Sequence, residues 1–365
     1  MKRLIYLFVL AVFVYACNSE PRFVIKGKIS GSDSVTFMLQ KRDAGKIVTL
    51  DSAVAKNGSF KMTGKIEYPD LVQLVAINTP YRTSFYLENS EILITGKLDS
   101  LFNSKITGSK TQDEYKSLIE SNKPLSDKYS GLVQEYQTAR QLNDTAKMSQ
   151  VEKAADAVGR EMTDMQKQFI KNNPSSFVTP SILRSLSYEM EAGEIESAIN
   201  AMDTSVSKIP VVQELKVRVA AMKKVAVGQK APDFTLNDVD GKPVSLSSKI
   251  GSKVLLVDFW AAWCGPCRQE NPNVVKVYNE FKNKGFDIFG VSLDQSKDDW
   301  VKAIADDKLT WTHVSDLKYW GSDAAKLYAV NSIPANFLLD ETGTIIARNL
   351  RGDDLRNKVS EILSK

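Results

Sequence analysis

The stretch from Lys253 to Trp260 constrains the fold more than any other part of the chain. It reads KVLLVDFW, a continuous apolar run rather than an alternating one. Such a run is typical of a strand that is covered on both faces. After two alanines comes WCGPC, followed by a helical pattern with Val274, Tyr278 and Phe281 on one face. The sequence therefore predicts a buried strand, a loop with two cysteines, and a helix.

Strand and helix patterns continue to alternate as far as the C-terminus. The segment DFTLNDVDGKPVSL is typical of a hairpin around Asp240-Gly241. Strands are predicted in FDIFGVSL, NFLLD and TIIARNL, and helices in SKDDWVKAIADD, DAAKLYAV and DDLRNKVSEIL. This order favours a mixed sheet in an α/β domain, which we place at residues 226–365.

Residues 18–108 have the pattern of a β-sandwich or barrel. Short strands are predicted in VTFMLQ, LVQLVAI and EILITGKL, and Asn57-Gly58 predicts a tight hairpin within SAVAKNGSFKMTG. No cluster of catalytic residue types occurs there. We therefore expect a β-sandwich-like domain that acts as a folded spacer or an interaction module.

Residues 109–225 have a helical pattern. Thr111 and Glu114 have the spacing of a capping box. Apolar residues then repeat every three or four positions on both sides of Asn143–Asp144. This heptad spacing predicts two long helices packed as an antiparallel hairpin, with the stripe in the core. Dimerisation through the same stripe is the alternative.

The N-terminus is predicted to be a targeting segment. Lys2 and Arg3 precede an apolar run, Ile5–Ala16, which is too short to span a bilayer comfortably. Cys17 follows at once, so residues 1–17 resemble a bacterial lipoprotein signal with a lipidated cysteine. The expected location is the cell envelope, as a periplasm-facing lipoprotein anchored to a membrane. Cleavage without lipidation and an uncleaved anchor are the alternatives.

Composition excludes several classes of function. The net charge of +4 is spread over 48 basic and 44 acidic residues, without a basic cluster interleaved with aromatic residues. Nucleic-acid binding is therefore not expected. The single histidine, His313, argues against histidine-based metal sites and Ser-His hydrolysis. We expect it to be an ordinary surface or core residue.

The three cysteines divide into one predicted lipid attachment point and one C-x-x-C pair. A zinc site would need further ligands, which the remote Cys17 and the single His313 do not supply, so no metal is expected. Redox chemistry fits better. Cys264 lies near a predicted helix N-terminus, which stabilises a thiolate, and Cys267 one turn later can reach it.

Two further residues shape the predicted loop, and a third residue, Asp258, is unusual for its surroundings. Gly265 and Pro266 form the turn between the cysteines, and proline suits the first turn of a helix. Asp258 places a carboxylate inside the apolar strand. A buried Asp tends to stay protonated and could exchange a proton with Cys267. Alternatively, it lies at the strand end and faces solvent.

These residues together resemble a known family. VDFWAAWCGPCRQENP closely resembles the thioredoxin active-site segment, including the Asp before the cysteines and Pro272 in the helix. SIPANFLLDETGTII resembles the thioredoxin segment that contains a cis proline, here Pro334. The leading hairpin and the SKDDWVKAIADD region look like the exported TlpA-like branch. The resemblance covers about residues 226–365, and the upstream part resembles an N-terminal lipoprotein domain of unknown function.

The resemblance implies a thioredoxin fold and a role for each matching residue. Cys264 would be the nucleophile, Cys267 the resolving thiol and Asp258 the proton relay. The predicted substrate contacts are Trp263, Gly265, Pro266, Pro334 and the backbone of Ile333. Trp263 is expected to be exposed, whereas Trp260 is expected to pack in the core. No cofactor is expected beyond the redox-active disulfide.

The sequence predicts a thiol-disulfide oxidoreductase, and more specifically a reductase of disulfides in exported proteins. Gly-Pro between the cysteines is the dipeptide of reducing thioredoxins, whose potential is about −270 mV. The chain has no nucleotide-binding fingerprint, so an external reductant protein is implied, and the resemblance implies that it is a membrane electron-donor protein. A peroxidase is a weaker hypothesis because Ala261 stands where peroxiredoxins have Thr or Ser. Two further hypotheses are a lipid-anchored binding or scaffold module and a dimeric disulfide isomerase.

Overall fold

The computed structural model of the protein describes residues 22–43 and 45–364. The predicted signal segment and Cys17 lie outside the described residues, so the lipoprotein prediction stays a prediction. The chain divides into two compact units. The first runs to Met165 and includes Ser176–Val178, and the second holds Gln166–Ser175 and the chain from Thr179 onward. None of the helices in the described part of the chain is long and apolar enough to cross a membrane.

The first part of the chain is β-rich, as predicted. Its strands form two four-stranded sheets, with the orders β4-β1-β7-β8 and β3-β2-β5-β6. Alternate residues of β1, such as Phe23 and Ile25, are buried in a core shared with Phe37 and Leu74 of the other sheet. The strands are β1 (Phe23–Ser30), β2 (Thr36–Asp43), β3 (Lys46–Val54), β4 (Ser59–Gly64), β5 (Asp70–Ala76), β6 (Arg82–Leu87), β7 (Glu91–Lys97) and β8 (Lys105–Thr107).

The turn at Asn57-Gly58 forms, but the hairpin predicted around it does not. Both residues have positive φ, 50° and 69°, and Lys56 bridges to Ser59. Beyond that bridge the two strands separate, because β3 pairs with β2 whereas β4 pairs with β1. The turn therefore links the two sheets of the sandwich.

Two long helices follow, α1 (Lys110–Gln141) and α2 (Thr145–Asn172), joined by a short turn in which Asn143 has positive φ. Their existence confirms the prediction from the apolar spacing. The stripe on α1 is only partly buried, since Tyr129 is 41% exposed.

The start of α1 differs from the predicted capping box. Ser109 is the N-cap, and its hydroxyl accepts a hydrogen bond from the Gln112 backbone N–H. The Thr111 hydroxyl instead donates to Glu88 at 2.8 Å, and Glu114 accepts from the Ser176 hydroxyl at 2.6 Å. Both predicted capping side chains are thus engaged elsewhere.

Four shorter helices complete the helical region and belong to the same compact unit as the α/β domain. Val225, at the end of the last one, is buried in the hydrophobic core of that domain. The helices are α3 (Thr179–Leu186), α4 (Ala192–Ala201), α5 (Thr204–Ser207) and α6 (Pro210–Lys224).

The C-terminal part is an α/β domain with a thioredoxin-like fold and a mixed seven-stranded sheet, in the order β10-β9-β13-β12-β11-β14-β15. Central strand β11 runs parallel to β12 and antiparallel to β14, and all seven of its residues are buried. The strands are β9 (Thr235–Asp238), β10 (Pro243–Ser245), β11 (Val254–Trp260), β12 (Phe286–Ser292), β13 (Thr312–Ser315), β14 (Ala335–Asp340) and β15 (Ile345–Arg348).

The helices of this domain cover the sheet and hold the functional loops. Helix α7 (Gly265–Phe281) contains Pro272 and contacts α10 (Gly352–Leu363). Because α7 also contacts β12 and α10 contacts β11, both helices lie on one face of the sheet. The remaining helices are α8 (Lys297–Asp306) and α9 (Asp323–Leu327).

Candidate redox site

The junction between β11 and α7 positions the two cysteines. Cys264 is the N-cap of α7, and it forms a disulfide with Cys267. The backbone N–H of Cys267 points at Cys264 Sγ, at 3.2 Å. Pro266 occupies the first turn, where a missing N–H costs no helical hydrogen bond. After reduction, this N–H and the helix dipole would stabilise a Cys264 thiolate.

The loop before β14 faces the disulfide. The peptide bond Ile333–Pro334 is cis, as the resemblance implied for Pro334. The carbonyl oxygen of Ile333 lies 3.7 Å from Cys264 Sγ. The structure thus brings together the two cysteines and this loop, although their chain positions are about seventy residues apart. The role of the loop in substrate contact stays a prediction.

An exposed aromatic cluster lies beside the buried cysteines. Cys264 is only 4% exposed, whereas Trp263 is 46% exposed. The Trp263 ring lies 5.0 Å from the ring of Tyr319 and 5.9 Å from that of Trp320, centroid to centroid. We call Trp263, Tyr319 and Trp320 the aromatic cluster. Sequence reasoning missed the last two, because nothing in KYWG indicates which loop it contacts.

A cavity of about 410 Å³ adjoins this cluster and is lined by Trp263, Tyr319, Asp294 and Asp299 among others. Asp294 is buried, and its two carboxylate oxygens each lie 3.1 Å from the backbone nitrogen of Ala262, whose N–H donates to them. This contact holds the loop that leads into the cysteines. Burial raises the pKa of Asp294, although its hydrogen bonds oppose the effect.

Asp258 is buried in β11, at 6% exposure, so the alternative of a solvent-facing strand-end residue is wrong. Burial raises the pKa of Asp258 from 3.8 to about 6. The positive charge of Arg351 lowers this pKa and the negative charge of Glu270 raises it. Glu270 lies on α7, so a charge on the helix that carries the cysteines acts on Asp258. A carboxyl with such a pKa can both hold and release a proton near neutral pH.

A polar network behind the site was not predicted from the sequence. Arg351 donates from Nη2 to the carbonyl oxygen of Pro334, and from Nη1 to that of Leu350 at 2.8 Å. Glu270 accepts a hydrogen bond from the Gly352 backbone N–H at 2.8 Å. No motif or spacing indicates the contacts of Arg351 with Pro334 and of Glu270 with Gly352, because each joins residues far apart in the chain.

Two other residues considered in the sequence analysis, Trp260 and His313, are buried. Trp260 is 1% exposed and packs in the core, as expected, with its ring 5.4 Å from that of His313. His313 is buried on β13, and burial lowers its pKa to about 3. Of the surface and core positions considered for this histidine, the core position is correct.

Comparison with known proteins gives the family. Residues 227–348 match the model of the AhpC/TSA family, and residues 23–115 match DUF4369, a domain of unknown function. The chain is 31% identical over 148 residues to thiol-disulfide oxidoreductase ResA of Bacillus thuringiensis subsp. konkukian, which covers 39% of this chain and 80% of that protein. This chain belongs to the thioredoxin-like thiol-disulfide oxidoreductases. The Cys264–Cys267 pair is therefore the redox centre of an enzyme.

Two further relatives each match about a third of this oxidoreductase or slightly more. The thioredoxin-like protein YneN of Bacillus subtilis is 40% identical over 121 residues, which are 32% of this chain and 68% of that protein. The thioredoxin domain of a thiol-disulfide oxidoreductase from Bacteroides vulgatus is 45% identical. That match covers 38% of this chain and 98% of the other, with a TM-score of 0.36.

Proposed function

We propose that this thiol-disulfide oxidoreductase is a disulfide reductase of the bacterial cell envelope that acts on exported proteins. The observation that carries the proposal is the Cys264–Cys267 pair at the start of α7, packed against the Ile333 carbonyl. Gly265-Pro266 between the cysteines favours the reducing direction, because strongly reducing thioredoxins lie near −270 mV.

The reaction would transfer two electrons in two exchange steps. The Cys264 thiolate attacks one sulfur of the substrate disulfide, and the other sulfur leaves as a thiolate that takes up a proton. Cys267 then loses its proton to the carboxylate of Asp258 and attacks Cys264 Sγ. This breaks the mixed disulfide, releases the second substrate thiol and leaves Cys264–Cys267 oxidised. Asp258 suits this role because its pKa of about 6 lies close to neutral pH.

The surface around the pair supports a polypeptide substrate. The aromatic cluster offers exposed rings next to Cys264, and large exposed aromatic residues are typical of protein-binding surfaces. The Ile333 carbonyl is close enough to Cys264 Sγ for a substrate strand to pair with this loop beside the reacting sulfur.

Turnover needs an external reductant. We propose a membrane electron-donor protein whose dithiol reduces the Cys264–Cys267 disulfide, with a lipid on Cys17 holding the enzyme at the same membrane. The N-terminal DUF4369 domain would then separate or orient the redox domain, or bind a partner. If binding is the main role, the redox pair is an accessory.

The reduction potential of the full chain tests this proposal. It would be measured with Cys17→Ser, so that the pair supplies the only thiols, by equilibration with glutathione and dithiothreitol buffers. A value at or below about −250 mV supports a reductase, and a value near about −120 mV contradicts it. A pair that does not equilibrate with these buffers would favour the alternative of a lipid-anchored binding module. Partner binding that is retained in the double variant with Cys264→Ser and Cys267→Ser would establish that alternative.

A further inference from the structure

We propose that Arg351 is a positioning residue of the redox site. Its guanidinium connects the cis-proline loop to the start of α10, and Glu270 connects the start of α10 to α7. The positive charge of Arg351 also acts on the buried carboxyl of Asp258. We call Arg351, Gly352 and Glu270 the brace. The inference rests on the proposed exchange reaction, since it assigns a residue that would tune it.

The first half of the brace joins the cysteine helix to the start of α10. Glu270 lies three residues after Cys267, and its Oε1 accepts hydrogen bonds from the Gly352 N–H and the Asn273 side-chain amide, both at 2.8 Å. The same Asn273 amide lies 3.2 Å from the Gly352 carbonyl oxygen. Gly352 has φ of 50°, which favours glycine and turns both of its backbone polar groups towards α7.

The second half joins this point to the cis-proline loop. Arg351, directly before Gly352, donates to the carbonyl oxygen of Pro334. Its other terminal nitrogen donates to the Leu350 carbonyl, which also accepts from the Asn336 side chain at 2.8 Å. The guanidinium is planar and binds the carbonyls of Leu350 and Pro334 at the same time. The bond to Leu350 therefore holds the guanidinium in place, and the bond to Pro334 holds the loop. A shift of α7 relative to the loop would break at least one of these bonds.

The brace also contributes two charges that act on Asp258. Arg351 and Glu270 are the charged groups that act on this carboxyl from α10 and α7. On the neighbouring strands β12 and β14, the residues level with Asp258 are Gly290 and Asn336, neither of which titrates. Arg351 is itself partly buried, and desolvation lowers its pKa while the two carboxylates oppose that shift. The two charged members of the brace, Arg351 and Glu270, therefore shift the pKa of Asp258 in opposite directions.

This opposition yields a test that a structural defect could not imitate. Arg351→Gln removes the positive charge, and Glu270→Gln removes the negative charge while keeping an oxygen that can accept from Gly352. In single-turnover oxidation of the reduced full chain, the Cys264 thiolate acts in the first phase, and Asp258 acts in the second phase, in which Cys267 resolves the mixed disulfide. The rate of this second phase is expected to rise with pH as Asp258 ionises. Arg351→Gln should move the midpoint up by about one pH unit, and Glu270→Gln should move it down.

The loop contact has its own readout. Arg351→Gln should raise KM for insulin, a protein disulfide, several-fold while leaving the rate with 2-hydroxyethyl disulfide above the midpoint nearly unchanged. Arg351→Lys keeps the charge but lacks the planar fork, so it should restore the pH midpoint and only part of the KM. The matched control is Arg356→Gln on the same helix, where the guanidinium is exposed and pairs with Glu280.

Each outcome decides a separate point. Midpoints of Arg351→Gln and Glu270→Gln that coincide with the Arg356→Gln midpoint, or that move in the same direction, would overturn the electrostatic role. An unchanged KM for insulin in Arg351→Gln would overturn the loop contact. Urea unfolding of each variant shows whether it is folded, and Glu270→Gln and Arg351→Lys serve as the test if Arg351→Gln is not. A wild-type protein that reduces neither disulfide would instead contradict the proposed function.

Discussion

Replacing Asp258 by Asn is expected to stabilise the oxidised protein above pH 6. Burial raises the pKa of this carboxyl from 3.8 to about 6, so the folded protein must ionise a group that resists ionisation. By linkage, this shift lowers the free energy of unfolding by about 3 kcal/mol at neutral pH, relative to a pH at which the group is protonated in both states. Asn cannot ionise, so the unfolding free energy of Asp258→Asn is not lowered in this way at neutral pH.

The pH window follows from the direction of the shift. Between pH 3.8 and about 6 the folded state binds more protons at Asp258 than the unfolded state does. The stability contributed by the protonated group is therefore complete below pH 3.8 and is lost as the pH rises through 6. The difference in unfolding free energy between Asp258→Asn and wild type should grow by about 3 kcal/mol across this window and then stay constant.

The wild-type curve alone would not reveal this effect, because His313 acts in the opposite direction. Its pKa falls from 6.5 to about 3 on burial, so its contribution is complete above pH 6.5 and is lost as the pH falls towards 3. The two windows overlap between pH 4 and 6 with opposite signs. Subtracting wild type from Asp258→Asn cancels the His313 contribution, since both proteins contain that histidine.

The assay is urea unfolding of the oxidised protein at pH 4, 5, 6, 7 and 8, because cysteines in a disulfide do not titrate. A constant offset between the two proteins reports only the difference in hydrogen bonding between Asp and Asn. Leu71→Ala, at 43% exposure, removes no titratable group and is the control, which should give a difference that does not change with pH. A flat difference for Asp258→Asn as well would refute the argument that Asp258 is a buried carboxyl with a raised pKa.

Three further predictions concern the redox centre, its surface and the core. Cys267→Ser should accumulate a mixed disulfide with a protein substrate, visible as a band on non-reducing gels, whereas Cys264→Ser should form none. Trp263→Ala should raise KM for insulin several-fold and leave the rate with 2-hydroxyethyl disulfide unchanged, and equal effects on both would contradict a docking role. Leu256→Ala, at a fully buried position of β11, should lower the unfolding free energy by about 2–5 kcal/mol. Leu71→Ala, at 43% exposure, should cost much less in the same urea titration.

The elements that could be predicted are those whose signal is local. The apolar run of β11 needs cover on both faces wherever it lies, and Cys264 at a helix start has its chemistry from its immediate neighbours. The cis peptide at Pro334 was implied by resemblance alone, since the residues around it carry no such information. Local signals also explain why both long helices were predicted with their turn at Asn143.

The elements that were missed depend on contacts between distant segments. Strand β13 has only four residues, including His313 and two small polar residues, and it forms because β12 and β9 pair with it. The Asn57-Gly58 turn was recognisable, but the partners of its two strands were not. The hydroxyl of Thr111 had the right spacing for a cap and was instead bound by Glu88.

The exchange chemistry of the site depends on local sequence, whereas the pKa of Asp258 depends on contacts between distant segments. The motif around Cys264 determines that thiol-disulfide exchange can occur, and that motif lies within five residues. The charge on Asp258 depends first on its burial, and then on Arg351, almost a hundred positions later, and on Glu270 on the opposite side of the motif. Proteins that share WCGPC and the buried Asp should therefore share the exchange reaction. They should differ in the pH at which the resolving step works, according to the residue at the position of Arg351.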